Sequence, residues 1–217
     1  MITAHEAREL SSPTPQERVD MIEPLIREAA IAQNSDIAYH YARYVIHGRF
    51  PLGEAAIAAS SEAAYMYARD VIQARFPEGE AAIAQNPKWA YWYAIDVIRD
   101  RFPPGEAVIA QHAGCAYCYA RDVIKGRFPE GEAVIAQNAG GAYLYAEYVI
   151  RDRWPLGEAA IAQDPYWAYF YACDVIEGRF PEGESVVAQD PDWALDYYKH
   201  FKHHFTGQER VIWLLRQ

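Results

Sequence analysis

The chain has 217 residues, of which 52% are hydrophobic, and 30 acidic against 20 basic side chains give a formal net charge of −10. The apolar fraction is sufficient for a continuous core, and the acidic balance disfavours nucleic-acid binding. Apolar runs are too short to cross a bilayer, and no basic segment at the start leads into an apolar stretch. The three cysteines are too few for a disulfide framework. We therefore expect a soluble, cytoplasmic protein without a membrane partner.

A Tyr-x-Tyr-Ala element recurs every 26 residues, which chance does not produce. The six copies begin at Tyr39, Tyr65, Tyr91, Tyr117, Tyr143 and Tyr169. We predict an N-terminal helical cap over 1–33, six 26-residue α-helical repeats over 34–189, and a C-terminal capping repeat over 190–217, all within one continuous domain.

The predicted N-terminal cap contains two helix-start patterns, Thr3-x-x-Glu6 and Thr14-Pro15-x-Glu17. The residues from Arg27 to Asn34 copy only the second half of a repeat. A terminal repeat that diverges in this way is typical of the ends of repeat proteins.

Each repeat predicts two helices, as the third copy illustrates. Asn86 and Pro87 are good residues for starting a helix, and Pro103 must end it, leaving about 15 residues. A shorter helix follows from Pro103, with Glu106 near its positive end. Neither helix can bury its apolar face alone, so the repeats must stack on one another. The sequence therefore predicts an all-α fold, an α-solenoid of six tandem helix-turn-helix repeats with diverged terminal caps.

A helical wheel of the first helix places Ala38, Tyr41, Ala42, Val45 and Ile46 on one face, which predicts the core. Beside this face, an arginine column is followed five residues later by a glutamate column, which predicts a structural ladder of Arg–Glu pairs. Anion binding by the arginines is the alternative. The columns are Arg49, Arg75, Arg101, Arg127, Arg153 and Arg179, with Glu54, Glu80, Glu106, Glu132, Glu158 and Glu184.

The opposite face of the first helices varies from repeat to repeat on a constant scaffold, and repeat proteins commonly bind their partners through such variable positions. A partly apolar stripe bordered by charge suits an interface with aromatic anchors. Packing of this stripe against the short second helices is the alternative interpretation. The candidate partner-binding residues are Met66, Arg69, Trp92, Ile95, Arg121, Leu144 and Phe170.

Two clusters have spacings that could hold a metal. One is Cys115-x-x-Cys118 with His112, and the other is the C-terminal group His200, His203 and His204. For both we favour a structural role, as small-residue packing and a solvated cap.

The aspartates that recur at 26-residue intervals would lie too far apart for a general acid–base pair. The recurrent glycines from Gly53 to Gly183 are interpreted as turn residues. We find no nucleophile or phosphate-binding motif, and expect no enzyme, cofactor or metal.

The repeat, as in Tyr119-Ala-Arg-Asp-Val-Ile-Lys-Gly-Arg-Phe-Pro129, resembles short helical repeats of uncharacterised bacteriophage and giant-virus proteins. The resemblance covers about residues 27–205, and the opening MITAHEARELS also looks like a phage protein start. It implies a viral origin and an α-solenoid fold, but no specific function. Phenylalanine occupies most repeats where the family has tryptophan, with Trp154 the exception.

Our leading hypothesis is a non-catalytic interaction module, phage-encoded, that binds a protein partner through the variable face. An alternative is a sponge that sequesters a nucleotide-type small molecule, with Arg69, Arg99 and Arg121 as candidate cations. A second alternative is an acidic DNA mimic, which rests on charge alone. Homo-oligomerisation through an apolar edge also stays open.

Overall fold

A computed structural model describes residues 15–209 and Trp213. Within these residues the chain is all-helical with no strand, and successive short helical units pack side by side, which confirms the predicted α-solenoid class. The chain divides into two compact units, Met1–Ala82 and Ile83–Gln217. The helix starts predicted at Thr3 and Thr14 lie outside the described residues. None of the described helices is long and apolar enough to cross a membrane.

The first helix of each repeat contains an α-helical part and then a π-helical part. After α1 (Pro15–Ile31), the α-helices in chain order are α2 (Ser35–Tyr41), α3 (Glu54–Ala58), α4 (Ser61–Tyr67), α5 (Pro77–Ile83), α6 (Pro87–Tyr93), α7 (Pro103–Ile109), α8 (Ala113–Cys118), α9 (Pro129–Ile135), α10 (Ala139–Tyr145), α11 (Pro155–Ile161), α12 (Pro165–Phe170), α13 (Pro181–Val187) and α14 (Pro191–Phe201). The π-helical segments are Ala42–Ile46, Ala68–Ile72, Ala94–Ile98, Tyr119–Ile124, Ala146–Ile150 and Tyr171–Ile176, and 3₁₀ turns cover Pro51–Gly53 and Lys202–His204.

The helix starts follow the sequence closely. In α6, the Asn86 side chain accepts hydrogen bonds from the amides of Lys88 and Trp89, at 3.1 and 3.2 Å. Pro87 occupies the first turn, where its missing N–H costs no hydrogen bond. The predicted cap at Asn86 is therefore confirmed.

The helix ends differ from the prediction. The predicted core face requires a uniform α-helix, but each first helix changes to π-helical geometry, which turns less per residue, at its second tyrosine or directly after it. Because of this smaller turn, the residues of the π-helical part do not continue the core face of the α-helical part. Ala38 and Ala42 are fully buried, whereas Val45 and Ile46 are 62% and 39% exposed, so the predicted core face is wrong for these two residues.

Every π-helical segment ends at a non-glycine residue in the left-handed conformation. These residues are His47, Gln73, Arg99, Lys125, Arg151 and Glu177, with φ between 51° and 61°. A left-handed conformation costs roughly 1–2 kcal/mol for such residues. Hydrogen bonds back to the start of the π-helical segment, such as the 2.6 Å bond from the Arg151 amide to the Ala146 carbonyl, offset this cost.

The recurrent glycines are not turn residues, because they lie buried in the first turn of each second helix. At Gly105, an added Cβ would lie 2.7 Å from the Ala90 Cβ and 2.7 Å from the Phe102 ring. The interpretation of these glycines as turn residues is therefore wrong: the requirement is close approach of two helices rather than an unusual φ.

Candidate functional site

Within each compact unit, the second tyrosine of a Tyr-x-Tyr pair joins its repeat to the preceding one, as Tyr119 illustrates. The buried Tyr119 hydroxyl accepts a hydrogen bond from the Phe102 amide at 2.7 Å and donates one to Glu106 Oε1 at 2.8 Å. Arg101 binds the same carboxylate through two nitrogens, each at 2.7 Å. We call this arrangement the tyrosine staple.

The staple recurs with Tyr67, Tyr145, Tyr171 and Tyr197, each bonded to the glutamate 13 residues earlier and the backbone amide 17 residues earlier. All six Arg–Glu pairs of the predicted ladder have two-point geometry at 2.7–3.0 Å. Two parallel charge-assisted bonds fix both side chains, so these arginines serve the scaffold.

The first tyrosine of the pair forms a second link between repeats. The Tyr91 hydroxyl donates to Asp122 Oδ2 at 2.8 Å, and Arg121 binds the same carboxylate from Nε and Nη2, at 2.6 and 2.8 Å. The Tyr39–Asp70 pair at 2.7 Å and the Tyr143–Asp174 pair at 2.9 Å have the same 31-residue spacing. This link was missed by the sequence analysis, although the constant spacing of tyrosine and aspartate could have indicated it.

Two charged members of the predicted partner-binding set are part of these internal links. Arg69 binds both oxygens of Asp70, and its Nη1 donates to the Tyr65 hydroxyl at 2.9 Å. Arg121 has the equivalent bonds to Asp122 and to Tyr117. The neighbouring guanidinium is the main reason that the pKa of Asp122 lies below its ordinary value.

The apolar members of that set lie on the ridge of the first helices. Trp92 is 39% exposed, whereas Met66, Ile95, Leu144 and Phe170 are half-buried. Leu144 lines one groove, of about 520 Å³, that also contains His112 and Tyr117, and Ile95 lines another, described below.

Aromatic side chains accumulate around Phe170. Tyr166 contacts Phe170, Trp167 and Trp193, with ring centroids at 4.7, 4.6 and 5.2 Å. Tyr143 stacks on Trp167 at 5.3 Å, and Tyr169 lies 5.3 Å from Trp193. We call these six side chains, Tyr143, Tyr166, Trp167, Tyr169, Phe170 and Trp193, the aromatic cluster. Tyr166 remains 41% exposed, so the cluster presents apolar surface to solvent.

The cysteines and histidines singled out by their spacing do not form a metal-binding group. Among residues 15–209 and Trp213, no three His, Cys, Asp or Glu side chains are placed to hold a metal ion. His112 caps α8, its Nδ1 accepting a hydrogen bond from the Cys115 amide at 3.3 Å. Burial raises the pKa of Cys115 and Cys118 and raises that of Cys173 to about 11, which favours the unreactive thiol form.

A second groove, of about 690 Å³, lies where the π-helical segments of neighbouring repeats end. It is lined by Ile95, Arg121, Asp122, Lys125, Gly126, Tyr148, Val149 and Arg151. A groove of about 200 Å³ at the equivalent position of the first unit is lined by Arg43, His47, Gly48, Asp70, Val71 and Gln73. The repeat geometry therefore forms this type of groove in both units.

Comparisons with protein-family models, with curated proteins and with solved structures find no match to this chain.

Proposed function

We propose that the chain is a non-catalytic interaction module that binds a protein partner through the variable face of its first helices, with the aromatic cluster as the main contact. The single observation that carries the proposal is the partly exposed aromatic cluster on a scaffold whose recurrent charged side chains bind one another. Binding interfaces concentrate their energy in tyrosine and tryptophan side chains of this kind.

The distribution of polar groups supports the same function. The ladder arginines are paired with glutamates, and Arg69 and Arg121 are paired with aspartates. Mutual pairing makes these charges unsuited to catalysis, whereas the ridge residues have no such role in the scaffold. The apolar ridge can therefore vary without disturbing the links between repeats, as a recognition surface requires.

The resemblance to bacteriophage repeats directs the search for a partner to bacterial proteins. A tagged chain is used to capture proteins from infected and uninfected bacterial lysate, and the Kd of the captured partner is then measured. Replacing both Tyr166 and Phe170 by serine should weaken binding by about tenfold or more, because both rings belong to the proposed contact.

A Tyr44→Ser variant is the control, since Tyr44 is a 59% exposed aromatic that lies outside the cluster. Its affinity should equal that of the wild type, and melting curves must show that all variants are folded. Equal loss of affinity in both variants, or capture of no specific protein, would contradict the proposal.

A further inference from the structure

The larger of the two grooves at the ends of the π-helical segments is positively charged, whereas the chain as a whole is acidic. Its lining contains three basic residues, Arg121, Lys125 and Arg151, and one acidic residue, Asp122. Since Asp122 binds Arg121 through two hydrogen bonds, these two charges largely compensate each other. Lys125 and Arg151 remain, with no ion pair to another described residue. The groove is thus locally cationic in a chain whose net charge is −10.

The position of the two cations follows from the backbone. Lys125 and Arg151 are the left-handed residues that end two successive π-helical segments, with φ of 56° and 61°. They occupy the same position in two successive repeats, and the groove contains residues of both of these repeats. Both line the groove, so the repeat spacing makes them a pair.

The equivalent groove of the first unit provides an internal comparison. There the two left-handed positions are occupied by His47 and Gln73, and the remaining charges, Arg43 and Asp70, form an ion pair. The scaffold therefore provides the groove in either case, but only the larger one has two unpaired cations at its left-handed positions. This charge is a property of the fourth and fifth repeats, not a requirement of the fold.

The apolar part of the lining of this groove also differs from the sequence pattern of the other repeats. Tyr148 occupies the column that contains Asp70, Asp122 and Asp174 in other repeats, so a carboxylate is replaced by a ring that is 50% exposed. The neighbouring Glu147 carboxylate raises the pKa of the Tyr148 phenol, which keeps it neutral. With Ile95 and Val149, the ring forms an apolar wall beside the cations.

From this combination we infer that the groove binds an organic phosphate, its phosphate held by Lys125 and Arg151 and its organic part against Tyr148, Ile95 and Val149. Guanidinium and ammonium groups are the preferred partners of phosphate oxygens. The volume of about 690 Å³ lies within the range of small-molecule sites. This site is separate from the aromatic cluster and does not depend on the proposed protein partner.

The test uses phenyl phosphate, inorganic phosphate and phenol as probes at low ionic strength, followed by amide NMR. Phenyl phosphate should bind saturably and shift the amides of Gly126 and Val149, with an affinity about tenfold above that of either other probe. Added salt should weaken binding, since the cations are solvent-accessible.

The test variant carries Lys125→Gln and Arg151→Gln, and it should fold normally because Gln73 occupies the equivalent left-handed position in this chain. Its affinity for phenyl phosphate should fall by about tenfold or more. The matched control is Arg99→Gln, which removes a cation from the same column without touching the groove lining, and its affinity should be unchanged.

Three results would overturn the inference. These are absence of saturable binding to the wild type, equal affinity in the double variant and the Arg99→Gln control, and equal affinity for phenyl phosphate and inorganic phosphate. The last result would show that the groove binds a simple anion and that the apolar wall has no part in binding.

Discussion

The tyrosine staple predicts a large effect from the removal of a single oxygen atom. In Tyr119→Phe the ring and its contact with the Phe128 ring, whose centroid lies 5.4 Å away, stay nearly unchanged. The change removes the acceptor for the Phe102 amide and one donor to Glu106. The experiment therefore isolates the hydrogen bonds of the staple from the hydrophobic contribution of the ring.

The two lost bonds differ in cost. The Phe102 amide is buried and would be left without a partner, which costs about 1–3 kcal/mol. Glu106 retains Arg101 and is partly exposed, so water can replace the lost donor at a cost of about 1 kcal/mol or less. We expect Tyr119→Phe to lower the free energy of unfolding by about 1–4 kcal/mol.

Urea denaturation measures this difference, and hydrogen exchange of the Phe102 amide locates it. Tyr148→Phe is the control, since Tyr148 is half-exposed and forms no staple; it should change the free energy of unfolding by less than about 0.5 kcal/mol. The reasoning would be refuted if the two variants were equally stable, or if exchange of the Phe102 amide were unchanged in Tyr119→Phe.

Three further predictions follow from the same geometry. Gly105→Ala should destabilise the protein by about 1–3 kcal/mol in urea titrations, because its Cβ overlaps two neighbours, whereas Gly126→Ala, with no atom within 4 Å, should be neutral. Arg101 holds the pKa of Glu106 below its ordinary value of 4.5, so the ionised carboxylate stabilises the fold above that pH. This contribution is lost as the pH falls through the pKa that Glu106 has in the folded protein. In Glu106→Gln the free energy of unfolding should therefore fall less steeply as the pH decreases below about 5. A pH dependence equal to that of the wild type would contradict this. Arg179 also binds Glu209 and contacts the Phe205 ring, so Arg179→Ala should lower Tm more than Arg101→Ala, as calorimetry would show.

The fold could be predicted because its signals are local and repeated. Asn86 and Pro87 specify a helix start through a side-chain acceptor and a fixed φ, and neither depends on distant residues. The 26-residue period then required stacking, because a two-helix unit cannot bury its own apolar face. Two-helix repeats and the Arg–Glu pairing therefore followed from the sequence alone.

The ends of the first helices could not be predicted in the same way. A π-helical segment has no distinct residue pattern, and its left-handed end residue is usually expected to be glycine, yet here it is Lys125 or Arg151. The grooves form at these helix ends, so the sequence did not predict the grooves either. The link from Tyr91 to Asp122 was also missed, since a wheel of one helix does not show which residue of the next repeat it meets.

Hydroxyl-radical footprinting of the chain, alone and in complex with its captured partner, shows directly which surface binds the partner. The proposed function predicts that Tyr166 and Trp193 of the aromatic cluster become protected while Tyr44 stays reactive. Protection of Tyr148, in the groove lined by Lys125 and Arg151, with the reactivity of Tyr166 unchanged, would contradict the assignment of the aromatic cluster as the partner-binding surface.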